Sequence, residues 1–241
     1  MSTPPSKPQT GGSAGKAVST PNRLPSRKLY KDTVTVVVGT EEDSFVVHKG
    51  LLCFYSDFFR AAFNGSFEEA TERKIKLPDV DIDTFENFQL WLYSRTLLDT
   101  EDSANDSGHA TYLTFTALAK LWIFGDKYLI PLLQNNVIDA MHDKNEKETR
   151  SPVLVVKMAY TETLPGSCLR RAVIDILVHK ANLDGQIESM NGPTYLKWWT
   201  TEALADAMTV MACSWKSGLP CATMLENERC HYHVHAMGEH C

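Results

Sequence analysis

No stretch of this 241-residue chain comes near the ~18 to 20 consecutive apolar residues that a bilayer-crossing helix needs. The opening MSTPPSKPQTGGSAGK also has no apolar secretory core, so a soluble protein of the cytoplasm or nucleus is expected, with no membrane partner. Cysteine is sparse: six in a chain this long do not build a disulfide scaffold, and reduced thiols are expected. No C-x2-C pair occurs, which removes arrays of zinc fingers. Acidic residues are missing from positions 1–28, which hold five basic ones, whereas the rest of the chain carries 19 basic against 30 acidic side chains. A body with a formal charge of −11 repels nucleic-acid phosphates, so no nucleic-acid partner is expected. A phosphate-binding loop is absent as well. Gly12-Ser-Ala-Gly15-Lys16 mimics the end of one, but Thr10 stands where its first glycine belongs and Ala17 where its hydroxyl residue does.

What is present is core-forming material, since 43% of the residues are hydrophobic. Residues 1–28, rich in Ser, Thr, Pro and Gly, cannot bury apolar area and read as a disordered basic tail. From Lys31 to Gly39 a β-branched run alternates, Gly39-Thr-Glu-Glu-Asp43 turns, and Ser44 to His48 continues as a second strand, which predicts a hairpin. Leu51, Leu52, Tyr55, Phe58, Phe59, Ala62 and Phe63 recur at helical spacing up to Asn64-Gly65, which predicts a helical pair. Arg73 to Leu77 reads as a third strand, and Asp83 with Glu86 as a capping box opening a helix that ends near Arg95. Asp99 to His109 is an acidic, turn-rich loop. Helices follow from Tyr112 to Tyr128 and from Pro131 past Met141, and the polar run His142 to Arg150 marks a boundary. Beyond it, Ser151-Pro152 opens a helix to about Thr161, Leu169 to Ala181 is amphipathic, and Tyr195 to Trp215 is helical.

The chain ends in CHYHVHAMGEHC, residues 230–241. On a strand His231, His233 and His235 would share one face; folded back around Gly238, Cys230, His233, His235 and Cys241 would make a ligand set suited to a structural zinc. A reduced terminal hairpin packed on the helices is the other reading, and in that case no cofactor is required. A catalytic zinc needs further ligands and a carboxylate base, and Glu239 is the only acid near in sequence, so a zinc enzyme stands as the remote alternative and no enzyme is expected.

The order strand, strand, helix pair, strand, helix, helix pair is that of an α+β unit, and specific residues give it a likeness. Phe45-Val-Val-His48-Lys49-Gly-Leu51-Leu52, followed by Ser56 and by Phe58-Phe59, resembles the central motif of BTB (POZ) domains. Asp32-Thr-Val34-Thr-Val36 resembles the family's first strand, and Gly125-Asp126-Lys127-Tyr128 its A-D-K-Y helix motif with Gly in place of Ala. The resemblance covers about residues 29–143, in the style of the short single-BTB proteins of fungi. It implies a small, mainly three-stranded sheet with a cluster of helices, followed over 151–241 by a mostly helical extension ending in the Cys/His-rich segment. It gives Asp32, His48, Lys49, Leu52, Ser56, Phe59, Asp126, Lys127 and Tyr128 structural roles: His48 ends the second strand and satisfies nearby backbone groups, and Ser56 caps the second helix of the pair.

By the same resemblance the chain is an interaction module that pairs with itself or other BTB proteins. It also implies a scaffold or substrate adaptor for a cullin-type ubiquitin ligase, with an unknown client protein. Cullin-binding members carry an apolar residue, any residue, then an acid in the loop after the helical pair, and Phe67-Glu68-Glu69 fits, with Phe67 and Glu69 as the contact residues. Because no kelch repeats or other known substrate domain follow, a nuclear transcriptional co-regulator without a ligase role is the alternative.

Overall fold

The computed structural model describes residues 25–99, 111–148, 150–180, 197–217 and 229–235. The basic tail up to residue 24, most of the acidic loop after Asp99, and Cys241 lie outside the described residues.

Strand β1 (Thr33–Val38) and β2 (Asp43–His48) form the expected hairpin, in register from Thr33 opposite His48 to Val38 opposite Asp43. The turn needs left-handed backbone at both ends, supplied by Gly39 at φ 72° and Glu42 at φ 60°. Val34, Val36 and Val38 point with Val47 into the core, which is the physical use of the alternating β-branched pattern. Strand β3 (Lys74–Leu77) joins β1 in parallel, giving the order β2-β1-β3.

Between β2 and β3 run α1 (Lys49–Tyr55), α2 (Asp57–Asn64) and a third helix, α3 (Glu68–Glu72), that periodicity did not anticipate. Helix α4 (Ile82–Ser94) follows, and its cap corrects the sequence reading: Asp81, not Asp83, accepts the Thr84 backbone N–H at 3.1 Å, while Asp83 sits in the first turn. The short strands β4 (Leu98–Asp99) and β5 (Thr111–Tyr112) pair at the base of the acidic loop. Then come α5 (Phe115–Lys127) and α6 (Pro131–Glu148), the latter running through much of the polar stretch read as a boundary. Lys144 is almost fully buried there and donates to Glu148 Oε2 at 2.6 Å and to the Tyr112 carbonyl at 3.1 Å, so that stretch is a packed helix end.

The C-terminal part is helical, as expected. A 3-10 turn (Val153–Val155) leads into α7 (Val156–Glu162) in place of one helix from Pro152; α8 (Cys168–Asp175) continues into a π-helical turn (Ile176–Lys180); α9 spans Thr201–Ser217. Arg170 joins them. The residue is 6% exposed, and its guanidinium lies 4.6 Å over the Tyr160 ring, donates to the Tyr160 and Thr163 carbonyls, and pairs with Glu202 at 3.2 Å. Tyr160 in turn donates its hydroxyl to Asp206 at 2.6 Å. One continuous hydrophobic cluster runs from Val34 through the aromatic group of Phe59, Phe85, Phe88, Trp91, Phe124 and Tyr128 to Val155, Val173 and Tyr232, so both parts of the chain share an interior.

Candidate interaction surface

The motif residues assemble around two contacts distant in sequence. Ser56 Oγ accepts the Phe59 backbone N–H at 3.0 Å, capping α2 as expected, and donates to the Tyr128 carbonyl at 2.6 Å, fastening the helical pair to the end of α5. The buried Tyr128 ring lies on Phe58, Phe59 and Phe124. The glycine of the third motif also has a reason: a Cβ at Gly125 would come 2.9 Å from Gln134 Cγ, where α5 and α6 meet. Lys49 donates to the Phe63 carbonyl at 2.8 Å, and its backbone N–H reaches the Asp32 carbonyl at 2.8 Å. Leu52 and Phe59 are fully buried, Asp126 accepts from Gln134, and Lys127 pairs with Asp79 at 3.3 Å. His48 ends β2 as expected, but its ring departs from the expectation: Nδ1 meets the Tyr93 hydroxyl at 2.8 Å, not a backbone group.

The loop after α2 presents its aromatic outward. Phe67 takes the N-cap position of α3 with extended backbone, its ring lies beside the Gly65 backbone, and 59% of the residue is exposed. Two residues on, Glu69 is partly exposed in the first turn of α3 and makes no hydrogen bond or ion pair among the described residues. An apolar ring and an uncommitted carboxylate two residues apart at the start of α3 are the components a partner surface would engage.

A second feature lies along α1. The 3-10 turn Arg27–Tyr30 packs so closely on α1 that a Cβ at Gly50 would stand 2.6 Å from Leu29 Cα. Beside this contact is a cleft of about 530 Å³, whose lining includes the apolar Leu29, Cys53 and Phe54, the basic Lys28, Lys49 and Arg60, and Asp32. Burial pushes the Cys53 thiol up, against the opposing pull of Lys49.

Residues 23–122 match the family model described as the BTB/POZ domain. The chain carries a BTB/POZ domain. Over 89 residues it is 30% identical to Kelch-like protein 3 of Mus musculus, and equally so to Kelch-like protein 3 of Rattus norvegicus and of Homo sapiens. The matched stretch is 37% of this chain and spans only 15% of the length of those relatives. A BTB/POZ domain is a protein–protein interaction module, and the family match ends within α5.

The Cys/His-rich end packs against α6, just beyond the family match. Arg229–Tyr232 forms a 3-10 turn, which overturns the strand reading and with it the shared face of His231, His233 and His235. Three of the four residues of the zinc set are described, and the ring centroids of His233 and His235 lie 6.0 Å apart. Cys230 Sγ lies 3.2 Å from His235 Nε2, whereas His233 Nε2 faces Asp139 of α6 at 3.2 Å, and the fourth candidate, Cys241, lies outside the described residues. Among the described residues no group of three or more His, Cys, Asp or Glu is disposed to hold a metal ion. Sequence reasoning passed over the residues that receive this segment. Asp139, Asp143 and Glu146 are acids at i, i+4 and i+7 on α6, a legible stripe, whereas the partners Asn135 and Asp175 carry no local signal.

Proposed function

We propose that this chain is a non-enzymatic, self-associating scaffold of the cytoplasm or nucleus that docks a cullin-type ubiquitin ligase through its BTB domain and offers a client its helical extension. The observation that carries the ligase reading is the outward presentation of Phe67 with Glu69 at the start of α3, where the family's apolar-x-acid motif would meet a cullin. Supporting the self-association reading are the half-buried Phe54 and Cys53 of α1, which line a cleft on that helix. These residues leave apolar area for a second copy to cover.

The ligase reading is tested by titrating the purified chain against purified cullin. Phe67→Ala and Glu69→Lys are each expected to weaken binding at least tenfold while melting with the wild type, because exposed side chains seldom shift stability by more than about 0.5 kcal/mol. A wild-type chain that binds no cullin would end the ligase reading and leave the self-associating scaffold standing.

A further inference from the structure

Residues 229–235 lie across α6 and α8 as a bound peptide lies in a receptor groove, and each contact has the chemistry of recognition. Arg229 enters the acid stripe of α6, 2.7 Å from Asp143, 3.7 Å from Glu146 and 3.8 Å from Asp139. Three residues on, Tyr232 is 1% exposed: its ring packs by His142 of α6 at 5.4 Å between centroids, and its hydroxyl donates to Asp175 of α8 at 2.6 Å. The Asn135 side chain then clamps Val234 from both sides, accepting its N–H at 2.6 Å and donating to its carbonyl at 3.2 Å. An amide used in this way reads main chain and ignores the side chain at that position.

We infer that the groove between α6 and α8 is a peptide-docking site, held in this structure by the chain's own residues 229–235. The partner it fits is a segment presenting arginine, tyrosine three residues later, and an extended main chain two residues beyond that. Charge complementarity favours this occupant, because the wall facing Arg229 is formed by three carboxylates. The resident segment is displaceable by construction. It commits one fully buried side chain, and the Arg229 pairs are solvent-screened and therefore weak. Residues 218–228 join it to α9 in the same chain, so it competes intramolecularly with any partner. The inference does not rest on the ligase reading, since none of these residues belongs to the α3 loop.

The test uses the full-length chain and a fluorescein-labelled peptide of residues 229–235, kept reduced, with binding read by anisotropy. Tyr232→Ala, which empties the tyrosine slot, is expected to bind the peptide saturably and at least tenfold more tightly than wild type, whose own segment competes. Adding Asp143→Lys or Asn135→Ala in that background should weaken the peptide at least tenfold. Equal binding by wild type and Tyr232→Ala, or no binding by a Tyr232→Ala chain whose circular dichroism is native, overturns the inference. If Tyr232→Ala does not fold, Arg229→Glu takes its place with the same two readings, because it drives the segment off the acid stripe without opening a cavity.

Discussion

The hydroxyl of Ser56 serves two elements at once, as the cap of α2 and as the donor to the Tyr128 carbonyl, and it is 1% exposed. Ser56→Ala removes the cap and strands a buried carbonyl, so a loss of about 2 to 3 kcal/mol is expected in urea unfolding. Only the first role was legible in the sequence. A cap is a local pattern, whereas the partner 72 residues away is brought there by packing. Tyr160 gives a pH prediction. Its burial, then the hydrogen bond to Asp206, push its hydroxyl far above the usual value of about 10. With the folded pKa above the unfolded one, this group's contribution is complete below about pH 10 and is lost as pH rises beyond it. Tyr160→Phe is therefore expected to cost about 1 kcal/mol at neutral pH through the lost hydrogen bond, yet to lose less stability than wild type between pH 9.5 and 11. Denaturation midpoints across that range decide it. Tyr232, raised for the same reasons beside Asp175, leaves a residual alkaline loss in the variant.

At the scale of elements, the contact between the 3-10 turn Arg27–Tyr30 and α1 depends on Gly50. Helix propensity alone would make Gly50→Ala favourable by about 1 kcal/mol. The added Cβ, however, would stand 2.6 Å from Leu29 Cα, and backbone cannot yield as a side-chain tip does. The clash is expected to win, lifting the turn from α1 and speeding hydrogen exchange at the Leu29 amide, which bonds to the Ser26 carbonyl at 2.9 Å. The elements themselves were legible where one side of a segment is apolar: the valines of β1 and the aromatics of α1 and α2 repeat at the periods of strand and helix. Helix α3 was not, because Glu-Glu-Ala-Thr-Glu holds a single apolar residue, Ala70, and so has no periodicity to read. The turn at 229–232 was illegible for a related reason. Its shape answers to residues on α6 and α8, and the alternating histidines imitate a strand.

For the whole molecule, the BTB fold and the apolar face of α1 lead to the expectation of a dimer. Light scattering on the full chain should report twice 27.0 kDa, and Phe54→Glu, which charges the half-buried α1 surface, should return it to the monomer mass. A monomeric wild type at high concentration would count against self-association. The helical extension was foreseeable as helices but not as part of the same interior, because nothing local in α7 names the face of α5 that it meets. Helix α6 has both flanks committed: Leu133, Val137 and Met141 lie in the common core, while Asn135, Asp139 and Asp143 hold the C-terminal segment. A helix gripped on two sides can neither roll nor slide without releasing one of them. Displacing the C-terminal segment would therefore bare one flank of α6 while the other stays anchored in the interior that it shares with the BTB domain.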